Sequence, residues 1–409
     1  MDRTRRPASS RAPAPTLAAP SAALLALCAA LLALPVPLSA QTRAPLDVQT
    51  FALVPAPGQP EGIAIAPDGT VYTGSNVIAT QSRPEPSKVF AFDPSGALVA
   101  EYTVPGVEGL VGMAMDGFGL LYVLDPTPPR VFWLNPKTGQ QADYAAFRDV
   151  APCGQGGAPG DCSDTTGDDA PLPNFPVFAP DGTLYVTDSR QALIWRVPPG
   201  GGTPEVWFTD ACFEGVFGPN GIQLRADGQT LLFAVTGQQQ AGCGAADPAN
   251  GALYELPVLP GGSPGTPTLF WESQPFDGPD GFSIAASGNV YVALAATNQI
   301  AVVSPSGSEL ARVPATPVDN AQLDVPMDMP ASTAFLGDRL LVTNHSLFLG
   351  NPDSWAILDV FADEPGLELF RPLPEPGAGV ALASGAALLA VARRRRAARP
   401  TPPSGPDSG

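Results

Sequence analysis

Short apolar runs that alternate with polar or small residues, interrupted repeatedly by Gly and Pro, fill the chain between residues 45 and 372. GIAIA (62–66), TVYTG (70–74), KVFAF (88–92) and ALVAEYTV (97–104) form one group; FPVFA, TLYVTD, ALIWRV and PEVWF repeat the arrangement further on. Alternation with a period of two puts every second side chain on one face, which is the pattern of strands. Helical periodicity is scarce outside the termini. The 50 Pro and 43 Gly fall mostly between the apolar runs, where turns need them, so they mark strand ends rather than disorder.

Aligning Gly69, Gly117, Gly182, Gly228, Gly288 and Gly337 as turn glycines gives spacings of 48, 65, 46, 60 and 49 residues. That period predicts an all-β, six-bladed β-propeller with blades near 60–104, 108–147, 173–208, 219–270, 279–315 and 328–371. The run 47–55 (DVQTFALVP) reads as an extra strand that pairs with the last blade and closes the ring, which removes an open sheet edge. Antiparallel order sends the chain back to one face of the disc after the second and fourth strand of each blade. The mouths of the first strands lie on that face, and so does the long connection 148–172, which reads as a rim or lid.

At this mouth four oxygen-bearing side chains share one phase. Glu61, Asn174, Asn220 and Asp280 each stand seven residues before the Asp or Ser of a turn, at Asp68, Asp181, Asp227 and Ser287. Two carboxylates and two amides converging on the axis carry a formal charge of −2, which balances a divalent ion. Calcium accepts six to eight oxygens in irregular geometry and leaves places for water and substrate; magnesium demands a tighter fit, and another divalent cation is the alternative. Such an ion polarises a substrate carbonyl or phosphoryl oxygen while a neighbouring carboxylate, here Asp280, acts as general base or nucleophile. The chain has one His, His345, which excludes HExxH and multi-histidine zinc sites. No GxSxG elbow occurs.

The termini carry addresses. Residues 22–34 form an apolar stretch behind Arg3, Arg5, Arg6 and Arg11, and Leu38-Ser39-Ala40 offers a small residue for cleavage, so 1–40 reads as an export signal. Residues 41–373 would then be the propeller and 374–409 a tail. In the tail Pro374-Glu375-Pro376 precedes an apolar run, 378–392, that ends in Arg393–Arg396. This order resembles the bacterial PEP-CTERM sorting tail, which implies handling by exosortase-type machinery; an ordinary C-terminal membrane anchor with cytoplasmic arginines is the competing reading. Both place the protein in the periplasm, on the cell surface or in the extracellular matrix of a bacterium.

Between residues 41 and 373 there remain 12 basic and 36 acidic side chains. So acidic a body repels phosphate backbones and argues against nucleic-acid partners. The cysteines of that body, Cys153, Cys162, Cys212 and Cys243, are even in number in an exported chain, which favours disulfides over metal thiolates. Their spacing suggests Cys153 with Cys162 and Cys212 with Cys243.

The segments PEGIAIAPDGTVYTG, PNFPVFAPDGTLYVTDS, GPNGIQLRADGQTLLFAVTG and PDGFSIAASGNVYVA resemble the blade-opening segments of the SMP-30/gluconolactonase/luciferin-regenerating-enzyme family, over about residues 45–372. The resemblance implies a metal-binding Glu at Glu61, an Asn ligand at Asn220, a metal-binding base at Asp280, and a metal or substrate contact at Asn174. Ile63 replaces the Pro of the family's Glu-Gly-Pro, and the Trp that often follows is missing, which weakens sugar-lactone specificity. At the same level the second blade offers Gly109 with Glu108 beside it, and the sixth Met329 with Asp328 beside it; none is a secure ligand. His345 and Asp188, which follow second strands, are candidates for contact with the ligands or substrate. The acidic loop of Asp161, Asp164, Asp168 and Asp169 fails the EF-hand spacing and reads as solvated.

These features support an exported, calcium-dependent hydrolase of lactones or related esters. The alternative is a non-catalytic surface propeller that binds a glycan or a protein and uses its ion for structure.

Overall fold

The computed structural model describes residues 43–76, 86–106, 109–215, 217–237 and 249–373. The export signal, the sorting tail, Glu108 and Cys243 lie outside the described residues. Strand β1 (Val48–Leu53) precedes five blades in which sequential strands pair as antiparallel neighbours. The first blade holds β2–β5 (Pro60–Ile65, Val71–Ser75, Ser87–Phe92, Leu98–Val104), and the second β6–β9 (Met113–Met115, Leu121–Pro126, Pro129–Leu134, Gln141–Ala146). The third is β10–β13 (Pro173–Phe178, Leu184–Asp188, Leu193–Val197, Glu205–Thr209), and the fourth β14–β17 (Pro219–Leu224, Thr230–Val235, Asn250–Pro257, Thr268–Pro275). The fifth is β18–β21 (Pro279–Ile284, Val290–Leu294, Gln299–Val303, Glu309–Val313).

The sixth blade combines β22 (Pro330–Leu336), β23 (Arg339–Asn344) and β24 (Ala356–Phe361) with β1 as its outermost strand. The ring is therefore closed by the N-terminal run 47–55, as its pattern predicts. Val48 pairs with Val360 and Leu53 with Ala356, so the last sheet presents a strand from the start of the chain where its edge would otherwise be open.

Adjacent blades pack face to face through the alternating apolar positions. Val111, Tyr122, Leu124 and Val131 of the second blade bury against Phe178, Leu184, Val186 and Trp195 of the third. Each fully buried side chain of this size contributes about 1.5–3 kcal/mol. Trp195, Trp207 and Trp271 are buried in such blade packing.

Three sequence expectations are corrected. In the second blade the glycine with positive φ at the turn is Gly119 (φ 81°), while Gly117 has ordinary φ; this moves the axial register by two residues and places Val111 where Gly109 was expected. In the sixth blade the turn reads Gly337-Asp338 rather than Asp-Gly, so the axial position is Ala331, seven residues before Asp338, and not Met329. Finally, the sixth blade ends at Phe361. Residues 364–373 instead cross the far end of the central channel. There the Ala286 N–H donates to the Pro365 carbonyl (2.8 Å), the Leu367 N–H to Ile284 (2.8 Å) and the Gly117 N–H to Pro372 (3.0 Å), joining the fifth blade to the second.

Candidate functional site

Every innermost strand that carries a candidate ligand begins with Pro and bulges at the next two residues. Pro60 pairs with Ser75 and Ile63 with Thr73, leaving Glu61 and Gly62 as the irregularity. The same shift lies between Pro173 and Pro176, between Pro219 and Ile222, and between Pro279 and Phe282. Proline is tolerated at the first residue of a strand because no ladder bond is lost there, and a bulge re-aims the side chain it contains. Glu61, Asn174, Asn220 and Asp280 thus occupy equivalent bulge positions on the first, third, fourth and fifth blades. The sixth blade bulges too, between Pro330 and Thr333, but supplies Ala331.

Small residues behind the ligands let the inner strands close on one another. A Cβ added to Gly62 would stand 2.3 Å from the Val111 carbonyl oxygen, and one added to Gly221 would stand 2.6 Å from that of Asp280. The Gly112 N–H donates to the Asn174 carbonyl (2.8 Å). Gly281 leaves room for the Phe175 ring, whose tip lies 2.7 Å from where a Cβ would sit, so an aromatic group from the third blade reaches the fifth beneath the ligand level. Gly62→Ala and Gly221→Ala are each expected to destabilise the protein by about 1–3 kcal/mol through backbone displacement. Gly237→Ala, which meets nothing within 4 Å, is the control in urea denaturation; equal midpoints for all three would refute this account.

Glu61, Asn174 and Asn220 are buried, with exposures of 3–6%, while Asp280 is partly buried. Each has one side-chain oxygen that is buried and without a hydrogen-bond partner: Glu61 Oε2, Asn174 Oδ1, Asn220 Oδ1 and Asp280 Oδ1. Leaving one such oxygen unsatisfied typically costs 1–3 kcal/mol, so four at one level call for an electropositive guest. The amides are oriented for it. Asn174 Nδ2 donates to Ser189 Oγ (2.9 Å) and Asn220 Nδ2 to Thr236 Oγ1 (2.9 Å), which spends the nitrogens outward and frees the oxygens.

The backbone behind the ligands is fixed across blade boundaries. Thr343 Oγ1 donates to the Glu61 carbonyl and Thr187 Oγ1 to the Asn220 carbonyl, each at 2.6 Å. Both threonines stand at the same place in the second strand of the preceding blade. Sequence reading passed over this pair, although TLYVTD and LLVTN display it.

Burial, then the Asp280 charge, pushes the Glu61 carboxyl well above the usual carboxylate range. Burial also raises Asp280, to about 7, against the lowering effect of hydrogen bonds from the Asn220 side chain and the Gly281 N–H. The Asp280 charge thus bears on Glu61, and a divalent cation between them would relieve that repulsion. Among the described residues no group of three or more His, Cys, Asp and Glu gathers as a metal cluster. A cation here would be held by the mixed carboxylate–amide set, whose hard, all-oxygen chemistry fits calcium.

The remaining candidates divide. His345 is buried beside the mouth, its Nε2 lies 3.3 Å from the Asn76 carbonyl, and burial lowers its pKa to about 4; it is a neutral imidazole at pH 7. Asp188 pairs across from Pro173 at the same level, yet both its oxygens are engaged. Oδ1 accepts from the Leu172 and Gln191 N–H groups (3.0 and 3.1 Å), and Oδ2 from Gln191 Nε2 (2.9 Å) and Trp195 Nε1 (3.0 Å). Asp188 therefore anchors the 148–172 connection. That connection is held by the Cys153–Cys162 disulfide and by Glu214, whose carboxylate accepts from the Thr166 and Gly167 N–H groups. Cys212 is also disulfide-bonded. In the acidic loop Asp161 pairs with Arg148.

Solved structures share the fold. The chain is 20% identical to a calcium-binding protein, regucalcin, from Agrobacterium tumefaciens strain C58, with a TM-score of 0.52 over 80% of this chain and 99% of that one. A luciferin-regenerating enzyme gives 15% identity and a TM-score of 0.51 over the same shares. A gluconolactonase from Xanthomonas campestris gives 15% identity and a TM-score of 0.50, again over 80% and 99%. Among curated proteins none matches the chain. Residues 203–346, which include Asn220, Asp280 and His345, match the family model described as the SMP-30/Gluconolactonase/LRE-like region.

Proposed function

We propose that the protein is an exported, calcium-dependent hydrolase of lactones or related esters. The observation that carries this reading is the set of four partnerless buried oxygens on equivalent bulges, two of them on carboxylates that repel each other. The family-model match over residues 203–346 supports it, as do a gluconolactonase and a calcium-binding protein among the solved structures of the same fold. The disulfide supports an oxidising compartment.

Glu61, Asn174, Asn220 and Asp280 would hold the ion, which when bound supplies Lewis-acid polarisation of the substrate carbonyl. Asp280 is the group placed to take a proton from the attacking water or to attack the carbonyl carbon itself. Asn220 stands beside that carboxylate. His345, neutral and fixed on Asn76, lines the mouth as a substrate contact. Phe175 closes the site from below.

The direct test is a hydrolysis screen of γ- and δ-lactones, aryl esters and phosphotriesters on the purified propeller, with calcium and with a chelator. Chelator-sensitive turnover supports the enzyme. Calcium-dependent melting with no turnover on any of these would replace it with the binding propeller.

A further inference from the structure

On the far side of Phe175 from the four oxygens, the channel widens into a cavity of about 430 Å³. Its walls are the inner strands below the ligand level, with Ile65, Met115, Leu224 and Ile284 among the lining residues, and the crossing segment 365–371 forms part of its wall. Ligand pockets commonly span about 300–1,000 Å³, so the space is of ligand size. It is not part of the site described above, since the inner strands run from the ligand level at Glu61 through Ile63 to Ile65.

One cation lines this space. Arg371 Nη2 donates to the Ile65 carbonyl at 2.7 Å, and the guanidinium forms no ion pair among the described residues. Its remaining N–H groups are left for a guest. Glu368 also lines the cavity but is exposed, and its charge acts on Arg371 without salt-bridge contact. Gln223 contributes an amide: its Oε1 accepts from the Ile284 N–H at 3.2 Å, which leaves Nε2 as a second donor. A guanidinium in a chamber walled by aliphatic and aromatic side chains, within so acidic a protein, is a complement for a negative head on an apolar body.

We infer that this lower cavity is a binding site for an apolar monocarboxylate, with Arg371 and Gln223 receiving the carboxylate and the inner strands receiving the chain. The site is independent of calcium and of the hydrolase reading. Because the crossing segment carries Arg371, occupancy also ties that segment to the ring.

Isothermal titration of the propeller with decanoate in EDTA tests this, with hexanoate and decyltrimethylammonium as comparisons. The expectation is one saturable site for decanoate, at least tenfold weaker binding of hexanoate because each buried methylene contributes roughly fourfold, and no saturable binding of the cation. Arg371→Gln should weaken decanoate at least tenfold. Equal binding of the cation and the anion, an unchanged affinity in R371Q, or no decanoate binding would overturn the proposal. Should R371Q melt early, photolabelling of the wild type with a diazirine-bearing decanoate decides: labels on 222–224, 284 or 365–371 support the site, and labels confined elsewhere refute it.

Discussion

Asp280→Asn should reduce lactone or ester turnover by about a thousandfold at saturating calcium while leaving the melting temperature at or above that of the metal-free wild type. General base catalysis alone contributes typically 10²–10⁴-fold, and the substitution removes the base without changing its volume. Asp280 is also a proposed ligand, so loss of metal and loss of base must be separated. Glu61→Gln does this: it removes the other carboxylate from the same level, and its turnover should recover as calcium is raised, because the base remains. D280N should not recover at any calcium concentration. Recovery of both variants would reduce Asp280 to a ligand, and full activity of D280N in low calcium would reject the site.

The second large effect concerns pH and calcium together. Glu61 and Asp280 have folded-state pKa values above the ordinary carboxylate range, through burial and, for Glu61, the neighbouring charge. A raised folded value means that their contribution to stability is complete below the unfolded value near 4 and is lost as pH rises through the folded value, about 7 for Asp280. The metal-free protein should therefore lose stability between pH 5 and pH 8. Calcium needs the deprotonated carboxylates and releases their protons on binding, so its stabilising increment should grow over the same interval, reaching about 2.7 kcal/mol at a free concentration a hundredfold above Kd. Melting curves at pH 5, 6, 7 and 8, in EDTA and in calcium, give the comparison. An increment that is flat with pH, or absent, contradicts the assignment; the E61Q/D280N double variant should abolish both trends.

The acid side of this behaviour carries one opposing contribution, from a histidine. His345 is the chain's only histidine, and burial lowers its pKa to about 4. Its own contribution to stability is lost as pH falls from the usual histidine range toward 4, the opposite sign to the carboxylate pair. A His345→Gln variant separates the two, since it keeps a donor for the Asn76 carbonyl and removes the titration.

Much of this molecule is legible in its residues because period-two alternation and turn chemistry are local. Strand runs such as TVYTG and KVFAF, the six-fold repeat, the closing strand at 47–55 and the Cys153–Cys162 pair all follow from short-range pattern. The common phase of Glu61, Asn174, Asn220 and Asp280 was legible for the same reason, since each lies a fixed number of residues from a turn. Where the turn itself varied the count slipped by two residues: in the second blade only φ shows that Gly119 and not Gly117 makes the turn, and in the sixth the hairpin is shorter, with Leu336 paired to Arg339 across Gly337-Asp338.

Other features depend on groups far apart in sequence. The equivalent bulges that carry the four side chains, the Thr343 and Thr187 hydroxyls that grip the next blade, and the approach of the Phe175 ring to Gly281 exist only once strands and blades meet. Residues 364–373 continue the same apolar and polar texture as a strand, yet they cross the channel because β1 already occupies the outer edge of the sixth sheet. Sequence alone determined the propeller and the level of its oxygens; the closed ring decided which of those oxygens are buried without partners, since burial belongs to the packed assembly and not to any one strand.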